Sequence, residues 1–432
     1  MFDINNPKIE EEKPLVILAA LETEESRYFE HSLEEMTSLI EACDMQVYAI
    51  VTQKLAHPEP GTYIGKGKAH ELADLVKDSD IRYCIFEDNL SPVQLKNLGS
   101  IIGIEIWDRT TIILEIFSRR ARTREAKLQV ESAYLQYMLP RLSGMWQHLG
   151  RQGGGGGSRA NKGIGETQLE LDRRQINKRI ASLSRELDQI SHTRDVQRQG
   201  RHKGALPRVA LVGYTNAGKS TLMNKLLQMG GADDEKQVFE KDMLFATLDT
   251  SVRRISTQGH RDFLLSDTVG FIENLPHGLI KAFRSTLEEA AQADLILVVL
   301  DASDEFHNEH RIVTEKTLKE LSADTIPRLY ILNKADLLPE MSGRLPIIRQ
   351  EEIWISAKTG VGLNEMIDMI TEVLYKNNRV LKLQIPFSRG DLMNRLHSQA
   401  EIITEEYNEN GAAITCDCPG NLLKEVEPYI SE

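Results

Sequence analysis

The stretch Gly213-Tyr-Thr-Asn-Ala-Gly-Lys-Ser220 decides how the middle of this chain folds. It follows the apolar run Val209–Val212 and precedes Thr221–Leu227, which has the composition of a helix. A strand, a loop of the pattern G-x-x-x-x-G-K-[ST] and a helix together form a phosphate-binding loop. The glycines let backbone N–H groups face a phosphate chain, and the helix N-terminus attracts anions. The pattern therefore predicts a nucleotide site.

The side chains of this loop have separate predicted roles. Lys219 brings a positive charge to the outer phosphates, and the hydroxyl of Ser220 can ligate Mg²⁺. The whole loop is expected to contact the nucleotide: Gly213, Tyr214, Thr215, Asn216, Ala217, Gly218, Lys219 and Ser220.

Length and composition favour a protein of two to four domains, because 432 residues exceed one ordinary core. The apolar run Leu295–Leu300 is far shorter than the roughly 20 residues that span a bilayer. The segment Met1–Lys13 lacks the pattern of a signal peptide, and four scattered cysteines suit a reducing cytosol. We therefore expect a cytoplasmic protein without a transmembrane segment. Cys416 and Cys418 are expected to share one face of a strand rather than to bind a metal.

Charge is distributed unevenly along the chain. The formal net charge is −13, which argues against non-specific binding to nucleic acid. From Arg141 to Lys203, however, 13 Lys and Arg residues face 6 Asp and Glu residues, a local excess of +7. The rest of the chain therefore carries −20. This asymmetry indicates a basic segment with its own partner.

The N-terminal part, residues 1–118, alternates apolar runs with helix-like segments. Four strands are predicted, over residues 15–20, 47–51, 83–86 and 104–107, and a helix with a capping box is predicted to start at Ser32. Such alternation predicts an open α/β sheet with mainly parallel strands. Gly65–Lys68 is either a phosphate-binding turn or, as we favour, a capping turn before the next helix.

Residues 119–203 read as two helices around a glycine tract, and we expect them to pair as an antiparallel hairpin. Their apolar stripes consist of Leu128, Leu135, Leu139 and Leu142 on the first helix, and of Leu169, Ile176, Ile180, Leu183, Leu187 and Ile190 on the second. Arg194–Gly204 is polar and is expected to end the second helix.

The tip between these helices contains five consecutive glycines, which cannot hold a fixed backbone without a partner. Arg151, Arg159 and Lys162 flank it and would suit a phosphate backbone. A passive linker is the alternative. We favour a tip that contacts RNA, because linkers seldom carry this basic pattern.

Strand–helix alternation resumes over residues 204–378, around the phosphate-binding loop. Strands are predicted over residues 262–267, 295–301, 328–333 and 353–356, and helices over 280–292, 309–321 and 363–376. The last part, residues 379–432, predicts a small α+β unit with a helix over about 391–404.

Three short motifs at the ends of these strands specify the nucleotide. In Asn333–Asp336, the Asp336 carboxylate can accept hydrogen bonds from guanine N1–H and N2, and burial of that carboxylate would reject adenine. Lys334 would lie along the base, and Asn333 would brace the loops. Asp267–Gly270 places Asp267 for Mg²⁺ through water and Gly270 N–H for the γ-phosphate. The complete motifs are Asp267, Thr268, Val269 and Gly270, then Asn333, Lys334, Ala335 and Asp336, then Ser356, Ala357 and Lys358.

Taken in order, these motifs resemble those of the translation-factor-related GTPases. Together with Phe245, Ala246, Thr247, Leu248 and Asp249, with Thr62–Lys68 and with Gly163–Asp172, the resemblance narrows to the HflX family and covers nearly the whole chain. It implies a cytoplasmic GTPase that binds the large (50S) ribosomal subunit and splits ribosomes under stress. It also implies that Thr247 ligates Mg²⁺ beside Ser220. We expect a monomer off the ribosome.

Two positions qualify this expectation. Phe271 stands where many small GTPases have a glutamine that orients the attacking water, so we expect slow intrinsic hydrolysis that a partner accelerates. Asn216 either holds a K⁺ near the phosphates, as in similar GTPases, or braces the loop.

Two other functions remain open from the sequence. In one, the GTP-bound protein recruits a protein partner, and hydrolysis only resets it. In the other, the N-terminal domain binds a second nucleotide such as ATP and remodels RNA. In the ribosomal reading, GTP orders the Thr247 and Asp267–Gly270 segments and so fixes the hairpin against RNA.

Overall fold

A computed structural model describes most of the chain. The described residues are 13–24, 28–77, 79–142, 160–201, 206–231, 245, 251–272, 289–341, 343–420 and 422–431, with side chains of the helix 160–201 described over 170–193. The chain divides into two compact units, the first reaching Arg185 and the second beginning at Glu186. In the described parts, no helix combines the length and apolar character needed to cross a membrane.

The N-terminal sheet has four parallel strands in the order β2-β1-β3-β4, which confirms the predicted open α/β sheet. Its strands are β1 (Leu15–Glu22), β2 (Gln46–Lys54), β3 (Ile81–Phe86) and β4 (Glu105–Trp107). Its helices are Phe29–Ala42, Lys66–Lys77, Pro92–Ile102 and Arg109–Arg120. β1 is the most buried strand because neighbours cover it on both sides, as expected for a run of apolar residues in a parallel sheet.

The predicted capping box at Ser32 is wrong. The first helix begins at Phe29, so Ser32 lies inside it and its hydroxyl donates to the Glu87 carboxylate. A capping box does occur at Ser91, whose hydroxyl accepts from the Gln94 N–H while Gln94 returns a bond to the Ser91 N–H.

Two further helices bear on the predicted hairpin. The first is Arg124–Met138, and the second is the 42-residue helix Ala160–Arg201, which continues past the end predicted from the polar Arg194–Gly204. Arg179 forms a bidentate pair with Glu131, which ties the two helices together. On the second helix, Leu183 is fully buried and the other predicted stripe positions between residues 176 and 190 are half-buried. The stripe is therefore the packed face.

The second unit is built on a seven-stranded sheet in the order β10-β11-β9-β8-β5-β7-β6. Its strands are β5 (Arg208–Gly213), β6 (Ser251–Ile255), β7 (Phe263–Asp267), β8 (Leu295–Asp301), β9 (Arg328–Asn333), β10 (Ile347–Arg349) and β11 (Glu352–Trp354). The inner strands run parallel, and β6 and β10 are antiparallel edge strands that were not predicted. The described helices are Lys219–Met229, His307–Glu320 and Leu363–Tyr375. Most of the helix predicted over 280–292 lies outside the described residues.

The C-terminal part forms a separate antiparallel sheet, β12 (Arg379–Ile385), β13 (Glu401–Asn408) and β14 (Gly411–Cys418), with β14 in the centre. The helix Gly390–Gln399 covers one face. Cys416 and Cys418 both lie on β14 with their side chains in that core, so they share one face of the strand as predicted. The helix ends at Gln399 rather than Thr404, because Glu401 begins a strand that pairs with β14.

One arginine joins the C-terminal sheet to the seven-stranded sheet. Arg261 lies in the turn between β6 and β7, where it pairs with Asp417 of β14 and, at 3.2 Å, with Glu401 of β13. Its guanidinium also lies 4.6 Å from the centre of the Tyr375 ring. A cavity of about 670 Å³ opens beside this contact. The Asp417 side chain is only 4% exposed, so its charge depends on Arg261.

We predict that Arg261→Ala destabilises the C-terminal sheet by about 2–4 kcal/mol, because the substitution leaves the buried Asp417 carboxylate without its cation. Hydrogen exchange of the backbone amides of residues 401–418, followed at increasing urea concentrations, measures this loss of unfolding free energy. Arg395→Ala is the matched control, since Arg395 pairs with Glu425 at the surface of the same part, and should cost less than about 1 kcal/mol. Equal losses in both variants would contradict the prediction.

Candidate functional site

The phosphate-binding loop joins β5 to the helix Lys219–Met229, in the predicted strand–loop–helix order. Two glycines fix its path. Gly213 has φ 146°, and a Cβ there would lie 2.1 Å from the carbonyl oxygen of Val299 on the neighbouring strand. Gly218 has φ 90°, and a Cβ there would lie 2.2 Å from Nδ2 of Asn333. Any side chain at either position would displace the loop.

Lys219 is the buried cation of this loop. Its ammonium donates to the carbonyl oxygens of Gly213 at 3.0 Å and Tyr214 at 2.7 Å. Burial lowers the pKa of Lys219 to about 8, although the nearby Asp267 carboxylate acts in the opposite direction. The loop therefore holds its charge in a low-dielectric place, where interaction with an anion is strong.

Two oxygen ligands meet beside the lysine. The Ser220 hydroxyl donates to Asp267 Oδ2 at 2.8 Å, and Asp267 is fully buried at the end of β7. Hydroxyl and carboxylate oxygens are the donors that Mg²⁺ prefers. This donor set fits the predicted ion.

The segment after β7 lies against the loop. The Phe271 N–H donates to the Gly213 carbonyl at 3.0 Å, and the Thr215 N–H donates to the Phe271 carbonyl at 2.8 Å. The side chain of Phe271 is buried in the apolar core with Val212 and Val298. Gly270 packs against Thr215, and a Cβ on Gly270 would lie only 2.8 Å from Thr215 Cγ2. Phe271 thus anchors this segment rather than presenting a polar group.

Asn333 connects three parts of the site. Its Nδ2 donates to the Ala217 carbonyl at 3.0 Å, and its Oδ1 accepts from the Ala357 N–H at 2.9 Å. The first bond reaches the phosphate-binding loop and the second reaches the Ser356–Lys358 turn. These are the bracing contacts expected from the sequence, and they satisfy a side chain that is almost wholly buried.

The remaining residues predicted to recognise the base differ in burial and in their partners. Lys334, at φ 58°, forms an ion pair with Asp301 at 2.7 Å. Sequence reasoning missed Asp301, although its position at the end of β8 was a signal. Asp336 is exposed in the short 3₁₀ turn Ala335–Leu337, so burial of its carboxylate against a guanine base stays a prediction. Ser356 is buried, and its hydroxyl accepts from the Thr359 N–H.

The other predicted site residues are buried, exposed or outside the described part of the chain. Thr268 and Val269 are buried, and the Thr268 hydroxyl donates to the Leu211 carbonyl at 2.6 Å. Asn216 is exposed with φ 60°, and Lys358 is exposed. Phe245 is buried. Several predicted residues lie outside the described ones: Ala246, Thr247, Leu248 and Asp249 in the segment predicted to bind magnesium, Arg151 and Arg159 at the glycine tip, and the side chain of Lys162.

Family models match three successive parts of the chain. A model described as GTP-binding GTPase N-terminal matches residues 30–118, and one described as GTP-binding GTPase Middle Region matches residues 120–201. A third, described as 50S ribosome-binding GTPase, matches residues 208–334, which contain the phosphate-binding loop and Asn333.

The chain is also similar to bacterial proteins named GTPase HflX. It is 42% identical to that of Caldanaerobacter subterraneus subsp. tengcongensis over 91% of this chain and 90% of the relative. It is 40% identical to that of Escherichia coli over 89% of this chain and 88% of the relative. Among solved structures, a GTP-binding protein from Sulfolobus solfataricus in complex with GDP is 26% identical over 83% of this chain and 99% of that chain, with a TM-score of 0.42.

We predict that binding of magnesium GDP takes up about half a proton at pH 8 and almost none at pH 6.5, because phosphate favours the charged form of Lys219. Titration calorimetry in two buffers of different ionisation enthalpy measures the uptake. The same lowered pKa affects folding stability. Below about pH 8 the charged, buried amine of Lys219 lowers the free energy of unfolding, and this cost falls as the pH rises from about 8 towards 10.5.

Lys225→Met is the matched control for this titration. Lys225 lies on the same helix, and its removal should leave proton uptake unchanged. Equal uptake at pH 6.5 and pH 8 would show that Lys219 is not the titrating group.

Proposed function

Because this chain belongs to the HflX family of GTPases, we propose that it binds the large ribosomal subunit and ribosomes in its GTP state and splits them, particularly under stress. The observation that carries the proposal is the match of residues 208–334 to a family model described as 50S ribosome-binding GTPase. The basic glycine tip of the +7 segment Arg141–Lys203 would supply phosphate contacts for binding to ribosomal RNA. We propose that the protein acts in the cytoplasm, where ribosomes are, and that it is a monomer when it is not bound to a ribosome.

Guanine recognition is assigned to the Asn333–Asp336 and Ser356–Lys358 turns. Asn333 holds the first turn against the phosphate-binding loop and the second turn against the first, so base and phosphate contacts are kept in register. Asp336 is exposed, and the guanine that it binds would cover its carboxylate. Discrimination against adenine then depends on desolvation of Asp336 on binding.

Magnesium would be held by the hydroxyl of Ser220 and, as the resemblance implies, by Thr247, with Asp267 acting through water. The ion would offset charge on the outer phosphates. The Ser220–Asp267 contact at 2.8 Å supports this set. Asn216 as a K⁺ ligand stays a prediction, which hydrolysis rates in K⁺ and in Na⁺ would test.

Hydrolysis is proposed to be slow until a partner orders the site. The aromatic ring of Phe271 is buried in the core and cannot hydrogen-bond the attacking water. The bound ribosome would supply a further polar group to orient the attacking water, which the Phe271 side chain cannot do.

The guanine assignment predicts that Asp336→Asn weakens GTP binding by about 10²-fold or more, because an amide cannot accept both base N–H bonds. The same variant should gain affinity for xanthosine triphosphate, whose O2 can accept a hydrogen bond from the new amide. Fluorescent-nucleotide titrations measure both constants. Glu340→Gln, an exposed carboxylate in the next 3₁₀ turn, should bind GTP as the wild type does. Retained GTP preference in Asp336→Asn would remove Asp336 from the base site.

The ribosomal assignment predicts that large subunits accelerate single-turnover GTP hydrolysis at least about tenfold, since they supply the polar group for the attacking water that Phe271 cannot offer.

The ribosomal assignment also predicts that replacing Arg151, Arg159 and Lys162 by alanine weakens co-sedimentation with large subunits in a GTP-analogue state. The slope of log affinity against log salt should fall by about 2–3, because three phosphate contacts are lost.

The matched control replaces Arg173, Arg174 and Lys178, which are exposed on the long helix, by alanine. It removes the same charge away from the glycine tip and should bind nearly as the wild type does. Unchanged sedimentation of the tip variant would instead favour a protein partner. Equal hydrolysis rates with and without large subunits would overturn the need for a partner.

A further inference from the structure

Thr215, the third residue of the phosphate-binding loop, has a buried hydroxyl with no hydrogen-bond partner among the described residues. The residue is 6% exposed, and its backbone N–H is already used in the bond to the Phe271 carbonyl. A buried hydroxyl without a partner costs about 1–3 kcal/mol, and each such group in a native protein calls for an explanation, of which a catalytic role is one. The phosphate-binding pattern itself places no demand on this position, which accepts any residue.

The neighbours of Thr215 are the groups expected to hold the terminal phosphate. A Cβ built on Gly270 would lie 2.8 Å from Thr215 Cγ2 and 3.1 Å from the Lys219 ammonium. Gly270 N–H and Lys219 are the predicted donors to the γ-phosphate. Thr215 therefore lies beside the place where the β–γ bond is cleaved.

A rotation of about 120° around χ1 of Thr215 brings its hydroxyl to the position that its methyl group occupies. In one rotamer the methyl group faces Gly270, and in another the hydroxyl takes that place. Phe271, the residue after Gly270, has its ring in the core and offers no polar atom there. Thr215 is thus a neutral donor and acceptor close to the cleavage site.

We propose that Thr215 is a catalytic residue of GTP hydrolysis, and that its hydroxyl accepts a hydrogen bond from the attacking water. The water oxygen forms a bond to the γ-phosphorus, and the bond from that phosphorus to the β–γ bridging oxygen breaks, with its electron pair staying on GDP. The proton of the water goes to the released phosphate. Thr215 orients the water and neither gains nor loses a proton overall.

The test compares Thr215→Val, which keeps the shape, with Thr215→Ser, which keeps the hydroxyl. Single-turnover hydrolysis is followed in the full chain without ribosomes, and fluorescent GDP is titrated alone and with aluminium fluoride. We expect Thr215→Val to lose about 10–100-fold in rate and a similar factor in affinity for the GDP–aluminium fluoride complex. Its GDP affinity should stay within about threefold of the wild type, and Thr215→Ser should hydrolyse within about threefold.

Three results would overturn the proposal. They are an unchanged rate in Thr215→Val, a Thr215→Ser rate as low as that of Thr215→Val, and an equal loss of GDP and of GDP–aluminium fluoride affinity. Should Thr215→Val fail to fold, Thr215→Ala compared with Thr215→Ser decides on the same criteria. The test uses no ribosomal subunit, so a failure of the ribosomal proposal leaves it intact.

Discussion

The side chain of Asn333 is the contact on which the arrangement of the site depends. One amide group binds the carbonyl of Ala217 in the phosphate-binding loop and the N–H of Ala357 in a later turn. These segments are more than 100 residues apart in the chain, and each follows a different strand. Backbone groups in such loops lack partners from the sheet, so an amide with both a donor and an acceptor can satisfy two of them at once. The geometry of the loops is thereby fixed relative to the parallel strands.

Burial sets the electrostatics around this brace. Lys219 keeps its ammonium on two loop carbonyls at a lowered pKa, and the Asp267 carboxylate is fully buried beside the Ser220 hydroxyl. Both charges are taken out of water before any ligand arrives. A preorganised site of this kind costs folding stability but reduces the reorganisation that binding needs. Close packing is part of the same design, because Gly213 and Gly218 leave no room for a Cβ.

Much of this architecture was predictable from the sequence, because the strands that carry the site are nearly continuous apolar runs between loops with strong signatures. The edge strands β6 and β10 were missed because half-exposed Ser251–Ile255 and a three-residue strand give no apolar run. β13 was partly taken for helix because its Glu-rich sequence favours one locally, and only pairing with β14 overrides that preference. The exposure of Asp336 and the burial of the Phe271 ring follow from tertiary packing, which no local pattern contains.

The Arg261 contact means that the border drawn from sequence at residue 378 does not mark a place where the chain can be cut. Arg261 belongs to the hairpin β6–β7, whose second strand ends at Asp267 in the nucleotide site, yet its main partner Asp417 belongs to the C-terminal sheet. A protein shortened after residue 378 would leave the guanidinium stacked on Tyr375 without its carboxylates. Kinetic properties measured on such a fragment would therefore belong to the fragment, and they would not transfer to the whole protein.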